Sequence, residues 1–216
     1  MIPSAALTQI AGYLPTPSTI TDHGHPCCRG ARAWLRGVDA SNSYRDGRWH
    51  APIWLRKQYE WGPVPWPIYW CSVPDMEKLD CGALAAVAVQ LYRSRGQSAA
   101  HVQLALRYPH HAAEQWSRMW EREGLSASWI TSEFCYHEAC GVIDGEQMLL
   151  WDPTENRWLD PPLSPNDAFG SVMALKVVGL GAALPAKLQW GGMWLPSGAW
   201  QSVVFDGEGR PTTACS

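Results

Sequence analysis

The stretch from Asp80 to Arg95, DCGALAAVAVQLYRSR, constrains the fold more than any other part of this chain. Leu84, Val87, Ala88 and Leu91 recur at helical spacing, and the alanines favour a helix intrinsically. Asp80 is a good N-cap, and Gly96 after Arg93 and Arg95 makes a C-terminal stop. The first half of this helix is apolar on most sides, as expected of a buried central helix. Whatever else the chain forms must therefore surround it.

The segments that follow supply the cover. Ala99–Tyr108 (AAHVQLALRY) reads as a strand, and His111–Glu123 as a looser helical insert. Phe134–Ile143 reads as a strand. Asp144-Gly145 is the dipeptide that most strongly signals a two-residue hairpin, with Glu146–Trp151 returning as the partner and Pro153 ending it. Val172–Val178 should add a further strand. The expected fold class is α+β, with the helix packed on a small antiparallel sheet. Residues 1–65 show no sustained period and read as irregular, apart from a hairpin turning at Asp46-Gly47 between Tyr44 and Trp49. Residues 66–180 form the expected core and 181–216 a tail with one more hairpin (Ala199–Phe205, then Asp206-Gly207), all within a single domain.

Composition excludes several classes. A net charge of -3 gives no electrostatic case for nucleic acid or an anionic membrane. The longest apolar candidates, Cys81–Val89 and Val172–Leu184, fall far short of the roughly 20 residues a bilayer requires. No secretory leader is visible, and seven cysteines at positions 27, 28, 71, 81, 135, 140 and 215 lack a disulfide-scaffold pattern. The expectation is a cytoplasmic protein with reduced thiols.

The hairpin and the helix together suggest chemistry. With a two-residue loop at 144–145, Ile143 faces Glu146, and counting back along both strands His137 faces Asp152. Side chains so opposed share a sheet face with Cβ atoms roughly 4.5–5.5 Å apart. A carboxylate there can accept the N–H of the imidazole and leave its other nitrogen as a base. Cys81, in the first turn of the buried helix, sees the positive end of the helix dipole, which favours the thiolate.

In order and context these residues resemble the transglutaminase-like superfamily, whose fold is related to papain-like cysteine peptidases. That family has a Cys opening a central helix, a His opening one strand and an Asp closing the next before Pro-Thr. The corresponding stretches here are DCGALAAVAVQLYRSRGQSAAHVQLALRY, from Asp80 to Tyr108, and HEACGVIDGEQMLLWDPT, from His137 to Thr154. The resemblance covers about a third of the chain and implies a catalytic triad of Cys81, His137 and Asp152. Glu138-Ala139 stands where the family usually has Ala-Trp, and an insert of about twenty residues around His110–Glu123 separates the two motifs. The second oxyanion donor that the family draws from upstream of its Cys would be the indole of Trp70 or Trp66, with the Cys81 amide as the first. The implied function is acyl transfer through a thioester on a peptide-like amide or an acyl thioester, which a carrier protein could deliver. Hydrolysis, amide formation, cyclisation of an acyl chain, and a binding module that has lost catalysis all stay open. No cofactor is implied.

Other signals weigh less. His23-Gly-His25-Pro-Cys27-Cys28 gathers soft and imidazole ligands, but no C-x-x-C or H-x-x-x-H follows to complete a site. The expectation is a polar loop and no metal. Cys135 and Cys140 lie five positions apart in a strand, on opposite faces, and should not bond. His110 and His111 follow Pro109 without a partnered carboxylate, and His101 reads as structural. Glu77, Glu138 and Asp160 read as solvated or hydrogen-bonded carboxylates. Of 14 tryptophans, Trp49, Trp54, Trp61, Trp66 and Trp70 are expected to line a groove leading to Cys81, with some packed in the core.

Overall fold

The structure, a computed structural model, describes residues 14, 17–42, 44–45, 48–108, 110–131, 134–159, 171–179, 183–195, 203–205 and 211–212. The N-terminal third carries helix α1 (Pro26–Asn42), the paired strands β1 (Tyr44–Arg45) and β2 (Arg48–Trp49), and the short helix α2 (Leu55–Gln58). Strand β3 (Glu60–Trp61) runs parallel to β4 (Lys78–Leu79) and leads into the central helix α3 (Cys81–Ser94). Then come β5 (Ser98–Arg107), helix α4 (His110–Arg122), β6 (Cys135–Asp144), β7 (Gln147–Asp152), β8 (Arg157–Leu159) and β9 (Ser171–Val178). Strands β10 (Gln189–Trp190), β11 (Met193–Trp194), β12 (Val203–Phe205) and β13 (Pro211–Thr212) complete the described chain.

The fold is α+β. Nine strands form one sheet in the order β11-β10-β7-β6-β5-β9-β12-β13, with β8 beside β7. It is larger than the small antiparallel sheet the sequence suggests, and one ladder, β10 on β7, is parallel. Two-residue strands such as β10 carry no period; in the fold Trp190 is buried and its indole N–H donates to Leu159 O beside β7. The hairpin at Asp46-Gly47 pairs Tyr44 with Trp49, and the C-terminal hairpin pairs β12 with β13. The loop residues of both, and Asp160, lie outside the described residues.

Helix α3 matches its expected bounds to within a residue. Leu84, Val87, Ala88 and Leu91 are fully enclosed, packed in one cluster with Ile20, Cys28, Leu35, Leu55, Tyr59 and Trp151. Strand β5 is buried at every interior position, so it is covered on both faces. Ala100, Val102, Leu104 and Leu106 join a second cluster with Leu150, Leu175, Leu188 and Trp190.

Residues 26–42 are helical where the sequence reads as irregular. Cys28 and Leu35, seven positions apart, point inward and are buried. Gly30 and Gly37 fall on the open side, with nothing within 4 Å of where a Cβ would sit. Two glycines in a 17-residue helix mask the propensity, and tertiary burial of the Cys28/Leu35 stripe overrides it.

The hairpin register differs from the expected one. Asp144 pairs with Gln147, so the loop is Gly145-Glu146, with Gly145 at φ +59°. The ladder runs on to Cys140 opposite Trp151, and continuing it sets Asp152 across from Ala139, two residues from His137. A two-residue shift preserves the face, because side chains alternate with period 2. His137 and Asp152 are therefore diagonal neighbours rather than directly opposed.

Gly141 sits where this hairpin meets β5: an added Cβ would lie 2.9 Å from both Val102 Cγ2 and Met148 Sδ. Gly141→Ala is expected to lower stability by about 1–3 kcal/mol in urea denaturation. Gly30→Ala, in open space on α1, should raise it by about 0.4–1 kcal/mol. Equal effects would contradict this account of packing.

Candidate active site

Three elements converge on one point: the start of α3, the β6–β7 hairpin and the turn that follows β7. Asp80 caps α3 in extended backbone geometry, its Oδ1 accepting from the Ala83 amide at 2.8 Å. Its Oδ2 accepts from the Trp66 indole N–H at 2.6 Å. Leu84 donates to the Asp80 carbonyl, and the cap also engages the Gly82 amide. Asp80 thus engages the amides of Gly82, Ala83 and Leu84 at the start of the helix.

The Cys81 thiol is close enough to the His137 imidazole for each group to shift the other's protonation. The same ring, through Nε2, lies 2.9 Å from Asp152 Oδ2. Asp152 is fully buried and is fixed from its other oxygen, Oδ1, by the amides of Thr154 at 2.8 Å and Glu155 at 3.3 Å. The Asp-Pro-Thr turn folds the chain back on that carboxylate, which is the physical content of the sequence pattern.

Burial shapes the chemistry. It pushes the Cys81 thiol up from its ordinary value; the hydrogen bond and charge of His137 pull it back, while Asp80 and Glu138 push it further up. The depression expected at a helix N-terminus is outweighed by desolvation. For His137, burial alone would favour the neutral ring, but Asp152 and then Cys81 reverse this and hold its pKa well above the usual imidazole value.

Cys81 keeps intermediate solvent exposure because it forms part of the floor of a cavity of about 330 Å³. Aromatic rings build its wall: Trp61, Trp66, Tyr108, Trp116, Trp120, Trp129 and Tyr136. Trp116 and Trp120, one turn apart on α4, pack edge-on or tilted against Trp61 at 5.9 and 5.3 Å between ring centroids. Trp129 lies 4.9 Å from Trp120, and Tyr108 4.5 Å from Trp116. The insert between the two motifs thus supplies one side of the cavity. Of the five tryptophans expected there, Trp61 and Trp66 line it, Trp54 and Trp70 are buried in the core cluster, and the side chain of Trp49 lies outside what the structure describes. Trp70, offered as an oxyanion donor, is not a cavity residue, and the Trp66 N–H is spent on Asp80. The amphipathic spacing of Trp116 and Trp120 was the available signal for α4. Nothing local pointed to Trp129.

Beneath the cavity lies a polar cluster that the sequence does not single out. Glu138 and His101 are both fully buried, with His101 Nε2 2.6 Å from Glu138 Oε2, close enough for charge pairing though not aligned as a hydrogen bond. The Tyr136 hydroxyl donates to Glu138 Oε1 and accepts from Gln103 Nε2 at 2.6 Å. Burial would raise the Glu138 pKa, but His101, then Tyr136 and the Ser18 amide, hold it below the ordinary carboxylate value. Ser18 N–H reaches Glu138 Oε1 at 3.2 Å, which lays residues around 18 across the start of α3. Gly82 permits this approach, since a Cβ there would lie 2.8 Å from Ser18 Cβ. His111 is exposed on α4 and takes no part in the cavity.

No helix among the described residues is long and apolar enough to cross a membrane. Compared with models of known protein families, with curated proteins and with solved structures, the chain finds no match.

Asp80 offers a test of the electrostatics. Burial pushes its carboxyl up to about 6 against the opposing hydrogen bonds from Trp66 and Ala83. Asn also caps helices well, so Asp80→Asn keeps an acceptor for Ala83 while losing the one for the Trp66 indole, at a cost of about 1–3 kcal/mol. It also removes a negative charge beside the sulfur. The pH profile of Cys81 alkylation should therefore move to lower pH in Asp80→Asn, and a shift to higher pH would contradict the assignment.

Proposed function

We propose that this chain is a thiol-dependent acyl-transfer enzyme in which Cys81 is the nucleophile, His137 the proton carrier and Asp152 the group that orients it. The observation that carries the reading is the meeting of Cys81 with a His137 ring held by the Asp152 carboxylate, beside an aromatic cavity that both Cys81 and His137 line. The likeness of the two motifs to transglutaminase-like enzymes supports the same assignment.

The chemistry follows from the contacts. His137 takes the thiol proton as Cys81 Sγ attacks an acyl carbon, forming a C–S bond and a tetrahedral oxyanion. The Cys81 amide, at the helix N-terminus beside the sulfur, is the donor this reading assigns to that oxygen. Collapse breaks the bond to the leaving amine or thiol, which takes the proton back from His137, and leaves a thioester on Cys81. Water or an amine, deprotonated by His137, then resolves the thioester to acid or amide. Asp152 accepts from one ring nitrogen throughout, while the other takes up and gives back the proton. The wall of Trp61, Trp116, Trp120 and Trp129 favours an acyl group with apolar or aromatic bulk, and the volume suits a small substrate or the end of a larger one.

Alkylation and acylation test the reading. Iodoacetamide at neutral pH should modify Cys81 at least about tenfold faster in the wild type than in His137→Ala, where the proton acceptor is gone. Incubation with acyl thioesters should add one acyl mass at Cys81, cleared by water or by added amine. Loss of His137 should cut that turnover by about 10²–10⁴-fold. Slow labelling of Cys81 that is indifferent to His137 would sink the proposal in favour of a binding module.

A further inference from the structure

The His23-Gly-His25-Pro-Cys27-Cys28 segment lacks a distant partner in the sequence pattern, but the fold supplies one. Thr21 and Tyr69 form a parallel bridge, with the Thr21 amide donating to Ile68 O at 2.8 Å and the Trp70 amide to Thr21 O at 3.0 Å. This pairing brings Cys71 alongside the start of α1. The ligand atoms of His23, Cys27, Cys28 and Cys71 all lie within 4.8 Å of one another, and the three cysteines are free thiols.

The spacing is that of a coordination shell. A tetrahedral zinc with Zn–S near 2.3 Å and Zn–N near 2.0–2.1 Å sets each N···S edge at about 3.6 Å. His23 Nε2 lies 3.3 Å from Cys71 Sγ, 3.6 Å from Cys28 Sγ and 3.8 Å from Cys27 Sγ. Nε2 thus has three sulfurs near the edge length of a tetrahedron; Cys28 Sγ also lies 3.7 Å from Nδ1, beside the ring, so a turn of the imidazole is what would aim Nε2 at a shared metal. Four ligands close the sphere, as in structural rather than catalytic sites. Cys27 and Cys28 sit in the first turn of α1, so one short element presents both sulfurs together. His25 Nδ1 lies 3.1 Å from Cys27 Sγ, within reach to donate to a metal-bound sulfur. Tyr69 packs on the His23 ring with centroids 5.4 Å apart.

We propose that His23, Cys27, Cys28 and Cys71 form a structural Cys₃His zinc site that pins the segment around residues 18–28 to the stretch carrying Trp66 and Trp70. The site is separate from Cys81 and does not depend on the acyl-transfer reading. Its structural effect reaches the cavity through Ser18 on one strand of the clamp and Trp66 on the other.

The test uses the full chain purified without added chelator. Elemental analysis should find about one zinc per chain, retained in Cys81→Ala and falling below about a tenth in Cys71→Ser and His23→Ala. Exchange with Co²⁺ in the wild type should give the ligand-field and thiolate charge-transfer bands of a tetrahedral sulfur site, a readout that needs no folded variant. Zn²⁺ added back to chelator-stripped protein should raise its melting temperature. A chain that holds no zinc and shows no thiolate band with Co²⁺ would overturn the site. So would a Co²⁺ spectrum unchanged in Cys71→Ser, or a disulfide among the three cysteines.

Discussion

The carboxylate of Asp80 is the interaction on which the candidate site depends. It ends the extended approach from β4, satisfies amides that would otherwise be orphaned at a buried helix start, and ties the Trp66 indole to that start. A helix beginning one residue earlier or later would rotate Cys81 by about 100° and take the sulfur away from His137. Burying a carboxylate is costly, and its raised pKa is the visible sign of that cost. The two hydrogen bonds keep the penalty tolerable, and the return is a fixed direction for the sulfur.

The imidazole is fixed by the same logic from the opposite side. Asp152 spends one oxygen on two turn amides and the other on His137, so the carboxylate is held from both sides and the ring is tied to it. Both partners sit on secondary structure rather than on a free loop, which suits precise geometry. The second buried network, around Glu138, is coupled to this arrangement by position. Glu138 adjoins His137 in the strand, touches the place where Gly82 lacks a side chain, and anchors Ser18. It also adds negative charge near Cys81, which pushes the thiol pKa further up.

Much of the core was legible because its signals are local. An Ala-rich stretch between Asp80 and Gly96 is a helix by propensity and capping alone, and Asp144-Gly145 turns a hairpin for stereochemical reasons. The hairpin's register was not legible, since Gly145 can be the second or the first residue of a two-residue loop; in the fold it is the first, Asp144 pairs with Gln147, and Gly141 lies against Val102 and Met148. Helix α1 was missed because its two glycines hide a stripe that only contact with the core reveals. Trp70 failed as a donor because nearness in sequence to Cys81 says nothing of which way an indole turns.

Local chemistry along the chain determined which groups exist for use: a capped helix with sulfur in its first turn, a strand opening on imidazole, a turn that folds onto a carboxylate. These depend on interactions within a few residues, which a sequence displays directly. Tertiary structure alone decided what meets. It brought Cys71 to the His23–Cys28 segment across more than forty residues and set the tryptophans of α4 over Cys81. It also let burial override the helix dipole at the thiol. Each of these outcomes is set by which surfaces exclude water together, a property of the whole packed chain that no short stretch contains.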